Sequence, residues 1–78
     1  MKWFLVLLFW NPEAAEFQVG DGWAPLEQPS FERCENRKDY VKQYLPGYVD
    51  GMEHIVACVL AENMQDAADT AKAENSLR

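Results

Sequence analysis

The chain contains two cysteines, Cys34 and Cys58, and Pro46 lies midway between them. If the chain folds back at Pro46 as two antiparallel helices, the two sulfurs arrive opposite each other. One disulfide then closes the hairpin over a loop of about two dozen residues, worth about 3 kcal/mol by chain-entropy arithmetic. The chain has only 78 residues, and fewer still if its start is removed. A domain of about 60 residues buries only about 60% of its unfolded surface. Its core supplies little more than about 3–5 kcal/mol, so a staple of this kind decides whether it folds.

The start of the chain reads as an address. Met1-Lys2 is followed by an unbroken apolar run from Trp3 to Trp10, then Asn11-Pro12 and the small pair Ala14-Ala15. This is the layout of a secretory signal peptide over residues 1–15, although Glu13 and Pro12 make a poor cleavage site. As a helix the run spans about 12 Å at 1.5 Å per residue. That is too short for a bilayer core of about 30 Å. The alternative is a buried strand or plug of the mature fold. The distinction sets the compartment, because export licenses a disulfide and the cytosol disfavours one.

Residues 16–29 read as an irregular strap. Gly20-Asp21-Gly22 breaks regular structure, and Pro25 and Pro29 hold the chain extended. Trp23 and Phe17 are expected to tuck against the helices. Residues 30–78 read as the helical hairpin. Ser30 caps the first helix, with Glu32 in its first turn. Phe31, Cys34, Val41 and Leu45 recur at helical spacing beside Tyr40 and Tyr44, with the stem of Lys38 lying along the stripe. Pro46 ends that helix. The second helix is expected from Asp50, with Glu53 completing a capping box, to about Ala73. Val49, Met52, Val56, Val59/Leu60 and Met64 form its apolar face, and its end is alanine-rich. Reflection about Pro46 sets Phe31 against Leu60 or Ala61. The expected fold class is all-α: a disulfide-closed antiparallel two-helix hairpin under an extended N-terminal strap.

Charge narrows the function. The net charge of −6 repels phosphate backbones and anionic lipid surfaces, which disfavours nucleic acid and membrane partners. Arg33, Arg37, Lys38 and Lys42 collect positive charge on one segment, which argues against a DNA mimic. Their default role is interhelix pairing with Glu53, Glu62 and Asp66, each pair worth about 0–1 kcal/mol; an anion site is the minority reading. His54 lies four residues before Cys58, so a helix would project both from one face. With Cys34 opposite and Asp50 nearby, a zinc site is the sharper alternative to the disulfide. A redox dithiol needs closer cysteines. Ser30 and Ser76 have no histidine in a suggestive relation, so hydrolase chemistry has no support, and no cofactor or small-molecule substrate is implied. Tyr40, Tyr44 and Tyr48 recur every four residues and could form an exposed aromatic stripe suited to a protein partner. Ala67 and Ala71, on an overhang of the second helix, are a further docking or self-association surface.

Trp23-Ala24-Pro25, Phe31, Cys34-Glu35-Asn36-Arg37 and Cys58-Val59 carry a resemblance over roughly residues 1–60. The chain resembles short, signal-peptide-bearing proteins of bacteriophages and Gram-negative bacteria that have a Trp-Ala-Pro segment and two cysteines. The resemblance implies an envelope or phage accessory protein and carries no site residues. The expected function is therefore a small exported, non-enzymatic protein, periplasmic, acting by contact with an envelope or virion partner. A zinc-binding module through Cys34, His54 and Cys58 is one alternative. The other is a cytosolic phage inhibitor, in an infected host, that keeps its apolar N-terminus.

Overall fold

Eight apolar residues in a row suit a strand covered on both faces, because such a strand has no solvent side to demand alternation. The computed structural model, which describes residues 1–20, 23–45 and 53–75, builds the run from Trp3 to Trp10 in this way. Residues Lys2–Asn11 form strand β1. Phe4, Leu5, Val6, Leu7, Leu8 and Phe9 are all buried, and Leu5, Val6 and Leu8 are almost wholly so. The segment expected as a signal peptide is thus the central strand of the sheet in this structure.

Strand β2 (Glu16–Val19) and strand β3 (Leu26–Gln28) follow, then helix α1 (Phe31–Tyr44), strand β4 (His54–Ala61) and helix α2 (Met64–Asn75). Among the described residues every strand pair includes β1 and is antiparallel. β4 runs along one edge, from Lys2↔Ala61 to Phe9↔His54. The other edge is shared: β2 pairs with Leu8–Asn11 and β3 with Trp3–Leu5. β3 and β4 therefore run parallel to each other on opposite sides of β1, and α1 crosses between them.

The all-α expectation is overturned, since the chain is a four-stranded antiparallel sheet with two helices. Side-chain parity assigns a helix to each face. The odd residues Leu5, Leu7 and Phe9 of β1 pack with Cys34 and Leu45 of the α1 region and Val56 of β4. The even residues Phe4, Val6 and Leu8 pack with Val59, Ala61, Ala67 and Ala71, the last two from α2. The result is three layers, helix on sheet on helix. The segment read as the first half of a second helix is β4. Ile55, Val56 and Val59 are β-branched and favour a strand. Because both faces of β4 are covered, its apolar positions do not alternate and can be matched to a helical period.

Local chemistry fixes the ends of the elements. The Ser30 side chain accepts a hydrogen bond from the Arg33 N–H at 3.1 Å and starts α1 where expected. Asn63 does the same for α2, accepting from the Asp66 N–H at 2.9 Å. Asn11 Oδ1 accepts from the Glu13 and Ala14 N–H groups at 3.0 and 3.4 Å and turns the chain between β1 and β2. Ala15 completes that turn with φ 54°, a left-handed conformation that costs a non-glycine residue about 1–2 kcal/mol. The strap is therefore two short strands and their connection. Trp23 rests on Phe9, with ring centroids 6.1 Å apart, and Phe17 on Trp10, at 5.2 Å. Phe17 also packs on the core cluster that contains Ala67 and Ala71 of α2, as expected for a ring tucked against a helix. Phe31, expected against Leu60 or Ala61, stacks on Trp3 at 4.7 Å. Pro46, Val49, Asp50 and Met52 lie outside the described residues, and with them the proposed hairpin turn and the start of the second helix.

Candidate partner-binding site

Cys34 is fully buried on the inner face of α1, and Cys58 lies on the same sheet face as Leu5, its cross-strand neighbour. The two are joined as a disulfide with Cα atoms 6.0 Å apart. The expected pairing holds, but it staples a helix to a strand instead of a helix to a helix. A disulfide fits an oxidising, exported location. Among the described residues no helix is long and apolar enough to cross a membrane.

The zinc alternative loses its geometry. His54 and Cys58 sit on a strand, where four residues span about 13 Å. An imidazole and a sulfur so far apart do not share one ion, and both sulfurs are already bonded to each other. No group of three metal-ligating side chains converges among the described residues. The alanine surface is also corrected. Ala67 and Ala71 are fully buried against Phe4, Val6 and Leu8 and are unavailable for docking. Their small size is what lets α2 approach the sheet closely.

The tyrosine stripe fares differently. Tyr40 and Tyr44 are 55% and 51% exposed, and their rings lie 4.6 Å apart along the outside of α1. Tyr48 lies outside the described residues. The Arg37 guanidinium stands 5.6 Å from the centre of the Tyr40 ring, a cation–π contact. Below this pair, α1 and β3 enclose an open cleft of ≈ 420 Å³ lined by Leu26, Pro29, Arg33, Asn36, Arg37 and Tyr40. Positions 33, 36, 37 and 40 recur at helical spacing, so one face of α1 presents two guanidinium groups, an amide and a phenol to the same space.

The electrostatics of this face differ from the sequence expectation. Among the described residues, Arg33, Arg37 and Lys42 make no ion pair with Glu53, Glu62 or Asp66, because β4 and not a helix lies beside α1. Lys38 pairs within its own helix, 2.9 Å from Glu35. Glu27, the acid at the cleft, is held 3.2 Å from Lys2. Arg33 and Arg37 therefore carry no carboxylate partner among the described residues. They form a positive island on an acidic chain. Leu26, half-exposed, lines the cleft beside them. Sequence reading found the tyrosines and the arginines but not the cleft that unites them, because the other wall is β3, which was read as irregular. No family model matches the chain, and neither a curated protein nor a solved structure matches it.

Proposed function

We propose that this is a small non-enzymatic protein that works by contact with a protein partner, and that the α1–β3 face takes an acidic segment of that partner. One observation carries the reading: Arg33 and Arg37, without carboxylate partners among the described residues, line an open cleft with exposed Tyr40 and Leu26, and Tyr44 lies against Tyr40. Arginine and tyrosine are the side chains that most often dominate binding energy at protein interfaces. Guanidinium groups are matched to carboxylates in bidentate geometry. The opposite sign of the remaining surface would steer an acidic segment to this one place. The envelope or virion as the partner's location rests on the resemblance set out above, and the periplasm is the compartment that would suit both it and the disulfide.

The test is a photocrosslinking residue placed at Tyr44 in protein made in its native host. A discrete heteromeric adduct is expected, reduced at least tenfold by Arg37→Glu and weakened by added salt. An adduct indifferent to Arg37→Glu, or no adduct, refutes the reading. One observation favours a second reading, the inhibitor that keeps its apolar start in the host cytoplasm: residues 2–11 are core. Maleimide trapping in intact cells separates the two. Unmodified Cys34 and Cys58 match the oxidising location, and doubly modified cysteines match the cytoplasm.

A further inference from the structure

The structure points to a second surface at the opposite edge of the sheet, and we propose that the outer edge of β4 pairs with the same edge of a second copy of this chain. The Trp10 N–H donates to the Glu53 carbonyl at 3.0 Å. That bond makes Trp10 and Glu53 a hydrogen-bonded pair, and such pairs alternate along an antiparallel ladder. In the β1–β4 register, Ile55, Ala57, Val59 and Ala61 therefore spend their backbone groups on β1. Val56, Cys58 and Leu60 point theirs away from it. Among the described residues no strand pairs with that side of β4.

Natural sheets blunt such an edge with lysine, proline, a bulge or an inward charge. Residues 55–61, Ile-Val-Ala-Cys-Val-Leu-Ala, contain no charge and no proline, and the pairing with β1 runs without a bulge. Leu60, in this outward set, is 43% exposed.

Two features select a second copy over a lone peptide. The first is layering. Both faces of the β1–β4 sheet are covered by helices, so a bare added strand would leave its own two faces in water. A second copy related by a two-fold axis perpendicular to the sheet brings its own α1 and α2 to the matching faces, and the three layers continue across the junction. The second is self-complementarity. Antiparallel pairing about Cys58 sets Cys58 against the second copy's Cys58 and Val56 against the second copy's Leu60, so outward residues meet outward residues and each pair exchanges two hydrogen bonds. Residues 55–61 carry no charge, so no like charges face each other within the paired strands. The arginine cleft lies at the far edge of the sheet, so the dimer leaves it open. This proposal does not depend on what that cleft binds.

The test uses the full, oxidised chain in sedimentation equilibrium, with amide exchange read by NMR. The wild type is expected at twice the chain mass as concentration rises, with Val56, Cys58 and Leu60 amides gaining protection over the same range. Leu60→Pro removes one outward donor without touching a β1–β4 bond, and Leu60→Lys charges the edge while keeping the donor. Both are expected to run at single-chain mass, and a native spectrum of Leu60→Lys keeps the result interpretable if Leu60→Pro fails to fold. A wild type that stays monomeric at millimolar concentration overturns the proposal. So does a dimer that persists in folded Leu60→Lys, or protection of the three amides that does not change with concentration.

Discussion

Removing residues 1–15 separates a leader from a core strand. The six side chains from Phe4 to Phe9 are buried, and burying each contributes about 1.5–3 kcal/mol. Together they supply about 9–18 kcal/mol by that bookkeeping. A compact unfolded chain lowers such sums by about 10–40%. A domain of this length has a total stability of only about 4–12 kcal/mol. The loss is therefore as large as the whole. Topology makes the same point without arithmetic. β2, β3 and β4 each pair only with β1 among the described residues, so no strand pair survives its removal. The assay compares the full chain with fragment 16–78, both oxidised, by urea titration and amide NMR. The full chain should unfold in one cooperative step. The fragment should show no cooperative transition and collapsed amide dispersion. A fragment that unfolds cooperatively, with the dispersed spectrum of a folded protein, would refute the reasoning and restore the leader.

Three smaller perturbations follow from particular contacts. Replacing Cys34 and Cys58 together by alanine should cost about 3 kcal/mol, or on the order of 10–20 °C in Tm, measured by calorimetry. Gly20→Ala would place a Cβ 2.7 Å from the Phe9 ring and 3.2 Å from Trp23; since Phe9 is core, a loss of about 1–3 kcal/mol in a urea titration is expected. Ala15→Gly should relieve the positive φ of the β1–β2 turn and raise stability by about 0.5–1 kcal/mol, a gain that the same titration resolves.

Local signals in the sequence were legible where one side chain acts on its own neighbours. Ser30 marked the start of α1 because a cap works within three residues. The alanine-rich stretch was recognisably helical, although its true start signal, Asn63, was masked by the longer helix drawn through it. β1 and β4 were illegible for one shared reason. Strands buried on both faces lose the alternation that distinguishes them. For β1 the same run of residues satisfies a leader; for β4 the positions 56, 59 and 60 satisfy a helix. The β-branched Ile55, Val56 and Val59 were the available counter-signal. The Cys34–Cys58 pair was found through an incorrect architecture, since any fold-back that brings α1 over residue 58 meets the same constraint. The cleft required knowing that Leu26 and Pro29 come beside Arg33 and Arg37, a tertiary fact that neither segment encodes alone. The arginines were assigned to ion pairs because a helix was expected where β4 lies.

The fold depends on β4 lying antiparallel beside β1, with paired residue numbers summing to a constant. Cross-strand nuclear Overhauser effects read that register directly. Leu5 and Cys58, and Leu7 and Val56, are non-hydrogen-bonded pairs whose Cα atoms lie about 4.5 Å apart, so strong Hα–Hα effects are expected between them. Sequential amide–amide effects running from His54 through Ala61, with no Hα–Hα contact to β1, would show a helix there and contradict the fold on which both proposed surfaces depend.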